Sequence, residues 1–197
     1  MRAFARFAVI LCAALAAAAC GPDAPKFKAS DVTGTAYGRG FELLDHTGKP
    51  RTLVDYRGKA VVLFFGYTQC PDVCPTTLSE LAEAMKRLGP DADHVQVLFV
   101  TIDPERDTPA LLAQYVPAFD PRFVGLYGDA EATARTAKEF KVIYQKQPGT
   151  TPGTYSMDHS AGTFIFDPQG KLRLYVGYGQ GPDVFVHDLK ELLHAQG

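Results

Sequence analysis

The 197-residue chain has no tryptophan, only three methionines and only four cysteines. Four cysteines are too few for a disulfide framework, so a compact fold has to rest on an apolar core. Thirteen phenylalanines, nine tyrosines and a hydrophobic fraction of 46% supply that core, and the same composition excludes a disordered chain. No basic block occurs: 20 Lys and Arg stand against 22 Asp and Glu, a formal net charge of −2. Nucleic-acid binding, which draws on clustered Lys and Arg, is thereby excluded. No apolar run reaches the roughly 20 residues of a membrane-crossing helix. No low-complexity stretch or internal repeat interrupts 31–197, so one domain is expected there.

What is present begins with a short basic head, Met1 to Arg6, and 13 apolar residues from Phe7 to Ala19. That length suits a signal-peptide core, and the alanines ahead of Cys20 suit cleavage. Small residues ending in a cysteine form the bacterial lipoprotein pattern, although Ala17 stands where leucine is usual; ordinary cleavage after Ala19 is the alternative. On the lipoprotein reading residues 1–19 leave, taking Cys12, and Cys20 is acylated. Residues 20–33 then tether a domain over 34–197 to a membrane, on the periplasmic side of a bacterial cell envelope. Cys70 and Cys74 remain as an even pair in an oxidising compartment.

Phe41 to Asp45 and Thr52 to Val54 read as two short strands about the turn His46 to Pro50. Ala60 to Gly66 and Val95 to Ile102 are apolar without alternation, as in strands covered on both faces. Between them Thr76 to Gly89 places Leu78, Leu81, Ala82, Met85 and Leu88 on one helical face. Thr77 and Glu80 have capping-box spacing, with Pro75 as the other possible start. Helices are expected over Pro109 to Phe119, Ala130 to Phe140 and Asp183 to Ala195. Strands are expected over Phe123 to Tyr127, Thr163 to Asp167 and Leu172 to Val176. The order β-α-β-α-β-α-β-β-α predicts an α/β sandwich with a mixed sheet.

Cys70 and Cys74 lie between a buried strand and an amphipathic helix, at the strand end where α/β sheets concentrate function. A helix N-terminus favours thiolate over thiol, and Cys70, ahead of the helix, is expected to be the more exposed sulfur and the nucleophile. Residues four apart on a helical turn are about 6 Å apart at Cα, which suits a disulfide or a shared metal equally. An inert disulfide or a pair of buried thiols is the bland reading.

Of the five histidines, His46, His94, His187 and His194 read as solvated or satisfied side chains. His159 stands apart, between the Gly/Pro-rich stretch Gln147 to Gly153 and the Thr163 strand. In a thioredoxin-like sheet the loop entering that strand faces the cysteine pair. Two thiolates with one imidazole form a soft set that favours copper, whereas structural zinc wants a fourth protein ligand. Asp158 is a candidate to orient the imidazole, and Met157 reads as packing. Asp103 to Pro109 lies at a second strand end, with Asp107 or Thr108 as helix cap and the cluster as a brace for the cysteine loop.

Three segments, Gly66-Tyr67-Thr68-Gln69-Cys70-Pro71-Asp72-Val73-Cys74-Pro75, Asp103-Pro104-Glu105-Arg106-Asp107-Thr108-Pro109 and Asp158-His159-Ser160, resemble the Sco/SenC family of copper-binding assembly factors for cytochrome c oxidase. Phe41 to Asp45 and Phe166 to Lys171 fit as well, and the resemblance runs from Gly34 to the C-terminus. It implies a thioredoxin-like fold, three-layer α/β/α with a mixed central sheet, and Cu(I) or Cu(II), one per chain, on Cys70, Cys74 and His159. It further implies delivery of copper to, or thiol reduction of, the binuclear copper site of oxidase subunit II, by a metallochaperone more than an enzyme. The partners would be oxidase subunit II or another periplasmic copper protein, a thiol reductant, and the membrane through the lipid. Two other functions stay open: a thiol–disulfide oxidoreductase using Cys70 and Cys74 as a redox pair, and a redox or copper sensor. A peroxidase would need a peroxide-orienting site that is not identifiable in the sequence.

Overall fold

The computed structural model describes residues 25–194. The expected signal segment 1–19, the expected lipidation site Cys20 and the first part of the expected tether lie outside the described residues. At the centre stand β4 (Ala60–Gly66) and β5 (Val95–Thr101), paired in parallel from Ala60 opposite Val95 to Gly66 opposite Thr101. Every residue of β4, and all but Gln96 in β5, is buried. This is why their sequences carry apolar residues at successive positions instead of alternating.

An eight-stranded sheet forms around them in the order β1-β10-β9-β4-β5-β6-β2-β3. Its other strands are β1 (Ser30–Asp31), β2 (Glu42–Asp45), β3 (Pro50–Thr52), β6 (Val124–Tyr127), β9 (Thr163–Phe166) and β10 (Leu172–Val176). β4, β5 and β6 run parallel, while β9 and β10 return antiparallel. The helices are α1 (Val73–Leu88), α2 (Pro109–Tyr115), α3 (Ala130–Glu139) and α4 (Pro182–His194). On one face Phe64, Phe99 and Tyr115 join the sheet to α2, and α1 packs beside α4. On the other face Phe65, Phe164 and Phe166 surround Phe140 at the end of α3. The result is a three-layer α/β/α thioredoxin-like fold, in the expected order of elements.

Several details differ from the sequence reading. Thr52 to Val54 is not the second strand. The ladder runs over Pro50–Thr52, and Leu53–Tyr56 winds into a 3₁₀ turn, because Asp55 accepts from the Thr52 backbone N–H (2.6 Å) and hydroxyl (3.0 Å). Helix α1 starts at Val73, so Cys74 and Pro75 are inside its first turn, and the Thr77 hydroxyl donates to Val73 C=O instead of capping. Order also begins ahead of Gly34: Ser30 and Asp31 pair with β10, and buried Asp188 accepts from the Lys28 and Ala29 N–H groups at 2.9 and 2.8 Å. Finally, Tyr144–Pro148 (β7) and Tyr155–His159 (β8) form a separate antiparallel hairpin where a loop is expected.

A short repeat is present that the sequence reading overlooks. Asp45-His46-Thr47-Gly48-Lys49-Pro50-Arg51 and Asp167-Pro168-Gln169-Gly170-Lys171-Leu172-Arg173 fold into the same turn. In each, the aspartate accepts from the backbone N–H two and four residues on and from the arginine six on. A glycine takes the left-handed position, φ 85° at Gly48 and 76° at Gly170. Burial pulls the Asp45 carboxyl upward, but the hydrogen bonds from Thr47, Arg51 and Lys49 outweigh it and hold the group below the usual carboxylate range. A carboxyl depressed in the folded state stabilises above its unfolded value of about 3.9 and loses that contribution as pH falls toward the folded value. Asp45→Asn is therefore expected to lower stability by roughly 2 kcal/mol at pH 7. The gap from wild type should close below about pH 4, as denaturant titrations at several pH values would show.

Candidate metal centre

β4 ends at Gly66, and the chain then crosses the sheet edge as a loop to Asp72 before entering α1. A Cβ on Gly66 would lie 2.8 Å from Cys74 Sγ and 2.8 Å from the Phe99 ring. Glycine is thus what lets the cysteine sulfur sit against the strand. Cys74 is fully buried there, with the Tyr67 backbone N–H directed at its sulfur. Burial pushes its thiol strongly upward, and the nearby Cys70 and Asp107 add to the push. The sequence reading expects the helix N-terminus to favour a thiolate at this pair; at Cys74 the loss of hydration outweighs that field.

Cys70 is half-buried and accepts from the Cys74 backbone N–H at 3.4 Å, so its sulfur takes the place of a side-chain cap on α1. It lines a cleft of about 420 Å³ together with Pro71, Val73, Met157 and His159. Cys74 lies beneath the floor of this cleft, and its Sγ faces His159 Nε2 at 3.8 Å. The other imidazole nitrogen, Nδ1, is 3.0 Å from Ser160 C=O. A carbonyl can only accept, so Nδ1 carries the hydrogen and the Nε2 lone pair points at the sulfur. Burial lowers the pKa of His159, against the Ser160 carbonyl and Asp158, which keeps the ring in its neutral, ligating form.

That separation has a metal-site meaning. Two donors at about 2.3 Å (sulfur) and 2.1 Å (nitrogen) from one ion are about 3.8 Å apart when they subtend about 120°, the angle of a three-coordinate site. Cys74 and His159 are thus spaced as two donors to one ion could be. Among the described residues no three His, Cys, Asp or Glu donors already stand as a closed cage. Cys70 lines the wall of the cleft that His159 also lines.

The Asp103 to Pro109 segment divides its work. Thr108 caps α2, its hydroxyl oxygen accepting from Leu111 N–H at 3.2 Å. Asp107 turns inward and accepts from the Thr68 hydroxyl (2.6 Å), the Thr68 N–H and the Thr101 hydroxyl (2.6 Å), fixing the cysteine loop to the end of β5. Asp158 is exposed and does not hold the imidazole; Met157 is buried packing. The other histidines lie elsewhere: His46 Nδ1 accepts from Gly125 N–H, His187 faces Asp188, His194 faces Asp91, and His94 is exposed. A larger groove of about 620 Å³, between β2–β3 and α3, is lined by Arg39, Glu42, Arg135 and Glu139 and offers no soft donor.

Three contributors were missed in the sequence: Gly66 as the seat of the sulfur, Arg106, and the strand β8. The signal for β8 is its alternation, since Tyr155, Met157 and His159 face inward while Ser156 and Asp158 are exposed.

The SCO1/SenC family model matches residues 30–194. A mouse protein, Protein SCO2 homolog, mitochondrial, is 38% identical over 163 residues, covering 81% of this chain and 64% of the mouse protein. Its Bos taurus counterpart is 44% identical over 163 residues, 81% of this chain and 61% of that protein. The chain therefore spans less than two thirds of these relatives' length. ScoI of Bradyrhizobium japonicum, solved with copper bound, is 40% identical, with a TM-score of 0.73 over 80% of this chain and 100% of that one.

The seat of Cys74 is open to test. Gly66→Ala is expected to displace Sγ and to destabilise the fold by about 1–3 kcal/mol. Alkylation of Cys74, followed by peptide mass mapping, should become faster than in wild type; an unchanged rate would show that the sulfur does not depend on the missing Cβ.

Proposed function

The chain belongs to the SCO1/SenC family, and from that membership we propose that it carries copper, one ion per chain, on Cys70, Cys74 and His159. Its task on this reading is to assist maturation of the binuclear copper centre of cytochrome c oxidase subunit II or of another periplasmic copper protein. The observation that carries the reading is the neutral imidazole held 3.8 Å from a buried sulfur, with a second sulfur on the cleft wall. Both the Bradyrhizobium relative with copper bound and the softness of the donor set support it.

Loading proceeds with proton release: each thiol gives up its proton as its sulfur bonds the cation, and the buried Cys74 does so only because the ion replaces the lost hydration. Cu(I) is satisfied by the two sulfurs, and the imidazole adds the harder donor that Cu(II) requires. Unloading needs the cleft wall to be accessible, and Cys70 and His159 are the two donors that line it. Oxidation of the pair to a disulfide, which releases two protons and two electrons to an acceptor, removes two of the three ligands together, so loading depends on a reductant.

Anchoring follows from the sequence around Cys20, whose lipid would hold the domain on the periplasmic side of a membrane. Among the described residues no helix is long and apolar enough to cross one.

Reduced wild-type protein is expected to retain one copper per chain after desalting, with a sulfur-to-Cu(II) absorption band when loaded with Cu(II). His159→Ala should keep its fold and lose the Cu(II) form. Equal retention by the variant would refute the three-ligand site, and absence of binding by wild type would refute copper carriage. Disulfide reduction that is untouched by His159→Ala, without copper binding, would favour the oxidoreductase.

A further inference from the structure

The strand that carries His159 is not laddered to the eight-stranded sheet; β7 and β8 pair only with each other. Its hold on the domain comes from the inward row Tyr155, Met157 and His159. Met157 is buried, and the His159 ring stands edge-on to Tyr67 and Phe64 at centroid distances of 6.1 and 6.4 Å. The far end of the row is held by two side chains of the loop after β5, Arg106 and Asp103. Arg106 donates from one terminal nitrogen to Tyr155 C=O (2.8 Å) and to Gln69 Oε1 (3.0 Å), and from Nε to Asp103 (2.5 Å). Its guanidinium lies 3.5 Å from the Tyr155 ring centroid and 5.7 Å from that of Tyr67. The Tyr155 hydroxyl donates to the other oxygen of Asp103 at 2.8 Å.

One guanidinium therefore touches its own loop, the cysteine loop and the histidine hairpin. Asp103 is only 1% exposed at its side chain and Arg106 19%, so the pair is shielded from the solvent that weakens surface ion pairs. A planar fork that stacks on a ring while donating at its edge suits arginine and not lysine. Lys146, paired with Glu105 at 2.5 Å and also lying over the Tyr155 ring, is an outer and more exposed contact of the same kind.

We propose that Arg106 is a positioning residue for copper, locking the β7–β8 hairpin against the cysteine loop so that His159 Nε2 stays within bonding reach of the ion held by the sulfurs. The inference rests on the copper reading above. Because it acts through the imidazole, it bears on Cu(II) more than on Cu(I), which two sulfurs satisfy.

The test uses the purified full chain with Arg106→Ala, Arg106→Lys, His159→Ala and the Arg106→Ala/His159→Ala double variant. Arg106→Ala is expected to speed Cu(II) release to a chelator by about 10- to 100-fold and to weaken the sulfur-to-Cu(II) band. Cu(I) stoichiometry should stay at one, and Arg106→Lys should fall between Arg106→Ala and wild type. The double variant should hold Cu(II) as weakly as His159→Ala alone, since both changes remove the same ligand. In metal-free protein, acylation of His159 by a histidine reagent should be faster in both Arg106 variants, a readout independent of copper. Wild-type behaviour in both Arg106 variants, or effects that multiply in the double variant, would overturn the assignment. Failure of wild type to bind copper would instead remove the parent reading, and unchanged His159 acylation would then remove the latch as well.

Discussion

The site depends on a missing atom. With no Cβ at Gly66, the Cys74 sulfur rests against the edge of β4, out of water and beside aromatic rings. A thiol in that position is inert toward bases in solution, because ionising it means creating an unhydrated anion. A soft cation changes the balance, supplying the charge that water cannot. On the copper reading burial would act as selectivity: it suppresses the free thiolate while leaving a metal thiolate favourable.

The loop after β5 turns that seat into a geometry. Asp103 and Asp107 are four residues apart, both nearly inaccessible, and face opposite ways. Asp107 has three donors from Thr68 and Thr101 and no cation, so burial raises its carboxyl pKa against those hydrogen bonds. Asp103 meets Arg106 and Tyr155. The first holds the sulfur loop and the second holds the histidine hairpin, so the sulfur and the imidazole are braced by one small segment although they come from positions 85 residues apart.

Much of this could be read from the residues, for a physical reason in each case. β4 and β5 were legible because burial on both faces leaves an unbroken apolar run, and the helices because one face of each is apolar. The start of α1 was not, since its cap is a sulfur and rules for caps are written for oxygen. Cys70, Cys74 and His159 could be singled out by chemistry, but the orientation of the imidazole could not: it follows from Ser160 C=O, a backbone group that any residue would supply. Arg106 was hidden in a motif that reads equally well as a helix cap, because its partners Gln69 and Tyr155 are far away in sequence. The paired seven-residue turns escaped because only Asp, Gly, Lys and Arg recur, while the positions between them differ.

The unequal exposure of the two sulfurs also sets how the molecule meets an oxidant. A peroxide arriving from bulk water finds Cys70 on the cleft wall while Cys74 is sealed beneath. A sulfenic acid formed at Cys70 would have the buried Cys74 close by, and condensation, in which the Cys74 proton leaves with the hydroxyl as water, would close a disulfide. That closed form would be reversible, whereas oxidation of a cysteine beyond the sulfenic acid is not, so the hidden partner would guard the outer one against permanent loss.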